Sequence, residues 1–64
     1  MKEQNELFDA QVLKPQGALR PNWIIVVTVL QKEKYSFTCL KEPTEKVFHK
    51  CISKALSAYI NRGD

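Results

Sequence analysis

The chain has 64 residues, of which 44% are hydrophobic and 27% are charged, and its formal net charge is +3. A domain of this size buries only about 60% of the surface that its unfolded chain exposes, so its stability is marginal without association or cross-links. Two cysteines are too few for the disulfide framework of small secreted domains. The start of the chain is polar, and the longest apolar run has eight residues, where a membrane span needs about 20. We therefore expect a cytoplasmic protein with no signal peptide and no membrane partner.

The charges are unevenly distributed along the chain. Residues 1–13 carry a net charge of −2, whereas residues 14–62 carry nine Lys or Arg against three Glu, a net charge of +6. We interpret residues 1–13 as a flexible or weakly structured leader and residues 14–64 as a single small β-β-α domain. A cationic domain favours polyanions or acidic proteins as partners.

The leader contains the short motif Gln4-Asn5-Glu6-Leu7-Phe8. Its Q-x-x-L-F spacing resembles the pentapeptide by which many bacterial replication and repair proteins bind the sliding clamp. The resemblance implies that Gln4, Leu7 and Phe8 fill neighbouring pockets of such a partner, with Asn5 where the motif prefers Leu. Linear motifs of this kind need a free, extended segment. Alternatively, Leu7 and Phe8 form the apolar side of a short terminal helix, or residues 10–13 form a short edge strand.

Two strands of a hairpin are predicted in the middle of the chain. Pro15, Gly17 and Pro21 interrupt residues 14–22 and predict an irregular connection. Residues 23–30 (Trp-Ile-Ile-Val-Val-Thr-Val-Leu) predict a strand that is apolar on both faces. After a charged connection, residues 35–40 alternate aromatic or sulfur side chains with hydroxyls, which predicts the second strand. One helix can cover only one face of this hairpin.

The length of the hairpin loop decides which face the helix covers. A loop of two or four residues puts the row that begins at Ile24 beside Tyr35 and Phe37, whereas a loop of three residues puts the row of Trp23 there. We expect the first arrangement, which leaves one apolar row for a partner or a second copy of the chain: Trp23, Ile25, Val27, Val29 and Leu40. Either arrangement leaves an apolar row uncovered and so predicts association, most simply as a homodimer through the sheet.

The C-terminal part of the chain predicts an amphipathic helix. Thr44 can cap it, Pro43 suits its first turn, and Arg62 and Gly63 close its far end. The face that packs on the sheet follows a period of 3.6 residues and consists of Val47, Phe48, Cys51, Ile52, Ala55, Ala58 and Tyr59. The predicted fold class is α+β: a small antiparallel β-meander of two to three strands, followed by one C-terminal amphipathic helix on one sheet face.

Lysines recur every four residues on one flank of this helix, at Lys46, Lys50 and Lys54. Ammonium groups one turn apart, with Lys41 and Arg62 near the helix ends, can follow a phosphate backbone. The alternative is an ordinary solvated helix flank. A sheet followed by a basic helix also resembles, in topology, double-stranded RNA-binding domains and the three-stranded arm-binding domains of phage integrases. The Gly-rich turns and Lys-Lys helix start of the first family and the Gly-marked hairpin of the second are missing, so no family residue is assigned.

The sequence contains no catalytic or metal-binding constellation. Cys39, Cys51 and His49 are the only soft metal ligands, and they lack the paired short spacing of structural zinc sites. Both cysteines are expected in the core, and His49 lies on the helix face away from Cys51, so a Cys–His nucleophile is not expected. We therefore expect no enzyme activity, no metal, no cofactor and no small-molecule substrate.

The sequence thus predicts a small accessory or regulatory protein that binds nucleic acid such as DNA. The expected contact residues are Lys41, Lys46, Lys50, Lys54 and Arg62, and the expected state is a homodimer. The alternative is a protein-binding modulator, such as a phage- or plasmid-type inhibitor or adaptor. It would dock on a larger host or replication protein, for example the sliding clamp, through its sheet face or its leader. Small size, positive charge and the lack of catalytic groups are typical of small phage, plasmid or stress-response proteins.

Overall fold

The computed structural model describes residues 2–61 of the chain. In chain order they form β1 (Lys2–Gln4), β2 (Phe8–Leu13), a 3-10 turn (Gly17–Leu19), β3 (Trp23–Val29), β4 (Glu33–Cys39) and α1 (Glu45–Ile60). The four strands form one antiparallel sheet in the order β1-β2-β3-β4, and α1 packs on β3 and β4. The predicted α+β class, an antiparallel meander followed by one C-terminal helix, is confirmed, and β1 adds a short strand at one edge.

The interpretation of residues 1–13 as a flexible or weakly structured leader is wrong for the described part of that segment. Residues Phe8–Leu13 form β2, which pairs with β1 on one side and with β3 on the other. Phe8, Ala10 and Val12 pack in or against the core, whereas Asp9 and Gln11 are exposed. Because only one face of β2 is apolar, it can extend the sheet beside β3 with its polar face in water. The sheet therefore continues across the predicted boundary at residue 13.

A three-residue loop joins β3 to β4 and fixes the faces of the hairpin. Trp23 lies opposite Cys39, Ile25 opposite Phe37, and Val27 opposite Tyr35. The expected loop of two or four residues is wrong, and the three-residue alternative is correct. A shift of one residue moves a whole row of side chains to the other face. The row that begins at Trp23 therefore shares the helix side of the sheet with Tyr35 and the other aromatic residue of β4.

The core lies between α1 and this side of the sheet. Ile25 and Val27 are 0% exposed and Val29 is 2% exposed, so their predicted role as a partner surface is wrong. Full burial of such a side chain contributes about 1.5–3 kcal/mol to folding, and a residue already covered by the helix has no surface left for a partner. The whole buried cluster consists of Ala10, Ile25, Val27, Val29, Phe48, Cys51, Ile52 and Ala55.

The helix begins where the sequence predicts. The Thr44 hydroxyl oxygen accepts a hydrogen bond from the Val47 backbone N–H at 3.2 Å, and the Thr44 carbonyl accepts one from Phe48 at 2.9 Å. The first bond satisfies one of the N–H groups that the first turn leaves without helical partners, and the second is the first regular bond of the helix. Pro43 precedes the helix and is buried. Residue Gly63, predicted to help close the far end, lies outside the described residues.

The other face of the sheet has no further element of residues 2–61 packed on it. Its apolar side chains are Leu13, Ile24 and Val26, and all three are half-buried. Polar side chains of β2 and β4 flank them on both sides: Asp9, Gln11, Lys34, Ser36 and Thr38. This face is therefore mixed in character, and its apolar part is small.

Candidate nucleic-acid interface

Lys46, Lys50 and Lys54 lie in one row on the exposed side of α1, and we call this row the lysine stripe. All three residues are exposed. Their spacing of four residues separates successive positions by about 6 Å along the helix axis. Among residues 2–61, no carboxylate lies within 4.0 Å of any of the three ammonium groups. The stripe is therefore a row of solvated cations without ion-pair partners in the described part of the chain.

The buried side of α1 sets the direction of the lysine stripe. Phe48 and Ile52 are 1% and 5% exposed and anchor the helix on the sheet. Each stripe lysine lies two positions from Phe48 or Ile52, which is about 200° around a helix of 3.6 residues per turn. The same packing that stabilises the fold thus directs the stripe away from the sheet.

Of the two other predicted contact residues, the structure describes Lys41 but not Arg62. Lys41 is exposed in the connection between β4 and α1, five residues before Lys46 in the chain. Lys41 and the stripe therefore lie on consecutive segments of the chain. Arg62 lies outside the described residues, so its predicted contact stays a prediction.

Cys51 lies close to Cys39 and beside two lysines of the stripe. Burial raises the pKa of the Cys51 thiol above its ordinary value, and the nearby thiol of Cys39 raises the pKa further. Lys54 and Lys50 act on the pKa in the opposite direction. Because Cys39 is the last residue of β4, Cys51 lies near the end of that strand. Both cysteines are free thiols in or against the core, as predicted.

An open apolar pocket of about 300 Å³ lies between the end of β4 and the first turn of α1. We call it the Leu40 pocket, and its lining residues are Cys39, Leu40, Lys41, Glu42, Pro43, Thr44 and Val47. Leu40 is 89% exposed and Val47 is 40% exposed. The prediction that Leu40 is exposed for a partner is thus consistent with its position, whereas Trp23, from the same predicted surface, is half-buried.

Sequence reasoning missed this pocket because it placed Val47 in the core. Val47 lies 100° around the helix from Phe48, at the margin of the apolar sector. Ala58, on the same margin, is also exposed rather than buried. The helical angle of Val47 and Ala58 was the signal in the sequence that could have shown this. A narrower apolar sector for α1 predicts that both residues are exposed.

The segment with the clamp-like motif forms a tight turn. The Asn5 side-chain oxygen accepts hydrogen bonds from the backbone N–H groups of Leu7 at 2.8 Å and Phe8 at 3.0 Å. The Leu7 carbonyl accepts a further bond from the Leu30 N–H at 2.8 Å, and Phe8 packs against the core. Gln4 belongs to β1. The motif residues are therefore not presented on the free, extended segment that the interpretation requires.

The searches for a metal site and a membrane helix, and the comparisons with known proteins, leave the function open. Within residues 2–61, no group of three or more His, Cys, Asp or Glu side chains is placed to hold a metal ion. In the same range no helix has the length and apolar character needed to cross a membrane. Comparison of the chain with protein families, curated proteins and solved structures finds no match. The surface chemistry of the chain is therefore the basis for a functional proposal.

Proposed function

We propose that this chain is a non-enzymatic nucleic-acid-binding protein that contacts the phosphate backbone through the lysine stripe and Lys41. The observation that supports this proposal is the row of three ammonium groups, one per helical turn, that have no ion-pair partner among residues 2–61. Lysines that neutralise phosphates release condensed counterions, which favours binding whatever the base sequence. A row of lysines along a rigid helix can neutralise several phosphates at the same time.

The distribution of the other charges supports the same surface. Glu6 lies in the turn between β1 and β2 and Asp9 lies in β2, whereas the lysine stripe lies on the exposed side of α1. A polyanion is attracted to the helix and repelled from these carboxylates. Glu42 and Glu45 flank the start of α1, so the excess of positive charge is greatest around Lys50 and Lys54.

The chemistry of the stripe favours backbone contact over base recognition. Lysine binds phosphate as a point charge, and phosphate contacts carry no direct sequence information. The neighbouring exposed side chains on this side of the helix, Ser57 and Asn61, can add hydrogen bonds to phosphate oxygens. We therefore expect weak, largely sequence-independent binding. With three to four phosphates neutralised, log K should fall with log salt with a slope of about −3.

The test measures the anisotropy of a labelled duplex and of a labelled single strand at several salt concentrations. The variant Lys50→Glu with Lys54→Glu reverses two stripe charges, and we expect it to abolish binding. The control Lys32→Glu with Lys34→Glu makes the same charge change at exposed positions in the β3–β4 hairpin. It should retain most of the affinity. Circular dichroism checks that both variants fold.

Two outcomes oppose the proposal. If the natural chain binds neither probe even at low salt, it is not a nucleic-acid-binding protein. If the two variants lose affinity equally, net charge rather than the lysine stripe determines binding, and the proposed surface is wrong.

A further inference from the structure

The sheet ends in two very different edges. β1, at one edge, has three residues, whereas β4, at the other, has seven residues. Within residues 2–61 no strand pairs with the outer side of β4. Such an edge presents unpaired N–H and C=O groups that can pair with another strand. Neither Pro nor Gly interrupts β4, and its two charged residues, Glu33 and Lys34, lie at one end of the strand. The remaining five residues, from Tyr35 to Cys39, form an uncharged edge that can pair.

We propose that β4 is a dimer interface, on which a second copy of this chain adds its own β4 in antiparallel orientation. The product is a continuous sheet of eight strands. The register that uses all seven residues of β4 has its two-fold axis at the middle residue, Ser36. In that register Ser36 lies opposite the partner's Ser36, Tyr35 opposite the partner's Phe37, and Glu33 opposite the partner's Cys39. This dimer does not depend on the proposed nucleic-acid binding.

The aromatic side chains of β4 favour this register. Tyr35 and Phe37 pack against the core but are only half-buried, because the core is open on the outer side of β4. Pairing about Ser36 puts the helix-side faces of both copies on the same face of the joined sheet. Tyr35 of each copy then lies beside Phe37 of the other. Cross-strand aromatic pairs of this kind contribute about 0.2–1 kcal/mol each. On the opposite face, the small side chains of Ser36 and Thr38 do not obstruct the approach.

The two-fold register makes β4 complementary to itself. The contact of Tyr35 with the partner's Phe37 is repeated on the two sides of the axis at Ser36. A self-complementary patch is what an isologous dimer requires, and it favours a second copy over an unrelated peptide as the occupant of the edge.

The proposed dimer also determines where the two helices lie. Pairing of helix side with helix side places both α1 helices on one face of the eight-stranded sheet. Because each lysine stripe is directed away from its own sheet, the stripes of both copies then lie on the same side of the dimer.

A disulfide trap tests the register. Residues directly opposite each other in antiparallel strands have Cα atoms about 4.5–5.5 Å apart, which is within the range of disulfides. Under mild oxidation, Ser36→Cys should form a covalent dimer in which peptide mapping joins the two introduced thiols. Gln11→Cys, exposed on the same face of β2, is the control and should remain without this cross-link. Equal cross-linking of both variants, or of neither, overturns the register.

Sedimentation equilibrium of the full chain tests the dimer without a cross-link. We expect the natural chain to be dimeric in the micromolar range. In the double variant Ser36→Lys with Thr38→Lys, position 36 lies opposite the same substituted position of the second copy, and position 38 lies opposite its Lys34, so like charges face each other. It should weaken dimerisation by about tenfold or more. Gln4→Lys with Gln11→Lys adds the same charges at the opposite edge and should leave the dimer intact.

The outcomes separate this inference from the proposed function. A natural chain that stays monomeric throughout the micromolar range refutes the dimer, as does a dimer that the β4 charges do not weaken. Nucleic-acid binding by such a monomer would leave the proposed function standing. A dimer with the expected behaviour that binds no nucleic acid would support the interface and refute the function instead.

Discussion

Ile25 lies directly opposite Phe37 in the ladder between β3 and β4, and both side chains face α1. Ile24, the preceding residue, points to the other face and is half-buried. Two isoleucines that are adjacent in the chain therefore have different surroundings. This difference allows a matched comparison in which the side chain removed is the same.

We expect Ile25→Ala to lower the free energy of unfolding by about 2–5 kcal/mol, because it leaves a cavity in a fully buried site. Ile24→Ala removes the same atoms from a half-buried site, whose surroundings can relax or admit water, so its effect should be smaller. Urea denaturation monitored by circular dichroism measures both. An equal or larger loss for Ile24→Ala would mean that the hairpin register is not the one described.

The cap of α1 provides a second prediction. Thr44→Ala removes the hydroxyl that accepts the Val47 N–H and should lower the free energy of unfolding by about 1 kcal/mol. Ser53→Ala, at an exposed position within α1, is the control and should have no destabilising effect, because Ala has the higher helix propensity. Thermal denaturation of both variants gives the comparison. A cap variant as stable as the natural chain would show that the bond contributes nothing.

The turn between β3 and β4 can be improved. Leu30 and Gln31 have φ values of 52° and 56°, a left-handed conformation that costs a residue other than glycine about 1–2 kcal/mol. Gln31→Gly removes that conformational cost at one position. Part of the gain in stability is lost, because glycine gives up more backbone entropy on folding. We expect a net increase of about 0.5 kcal/mol in the free energy of unfolding. Gln11→Gly, in β2, should have the opposite sign, and a loss at both positions would contradict the turn geometry.

Cys51 predicts how stability depends on alkaline pH. Burial raises the pKa of its thiol in the folded chain, whereas the unfolded chain keeps an ordinary value of about 8.5. Above that pH the unfolded state loses the proton before the folded state does, so the free energy of unfolding falls as pH rises. Below about pH 8.5 the thiol is protonated in both states, so its contribution to the free energy of unfolding does not change with pH.

The measurement compares urea denaturation of the natural chain and of Cys51→Ala from neutral to alkaline pH. All other ionisable groups are the same in both proteins, so the difference between the two curves reports the thiol. We expect that difference to shrink above about pH 8.5. A difference that is constant with pH would show that the thiol ionises equally easily in both states.

The helix and its cap were predictable because their signals are local. Thr44 precedes an apolar period of 3.6 residues, and the packing of Phe48 and Ile52 follows from that period alone. The exposure of the lysine stripe follows from the same angles. That these lysines bind nucleic acid remains a prediction, because a solvated flank and a phosphate-binding row have the same sequence pattern.

The hairpin register was not predictable from the apolar pattern, because β3 is apolar on both faces. Only the loop decides between the faces, and neither Leu30 nor Gln31 signals a left-handed turn. The alternation of Phe8, Ala10 and Val12 in β2 contained the missing information. It was masked by an irregular apolar spacing in the first 13 residues, which is also compatible with a short helix.

The hydrogen bond from the Leu30 N–H to the Leu7 carbonyl joins two turns that lie far apart along the chain. One turn belongs to the first hairpin and the other to the central hairpin, so fraying of the N-terminal strand releases an amide in the middle of the chain. This bond therefore couples the first hairpin to the turn between β3 and β4. A truncation or fusion that disturbs the first hairpin would remove this bond and so destabilise the loop that precedes β4.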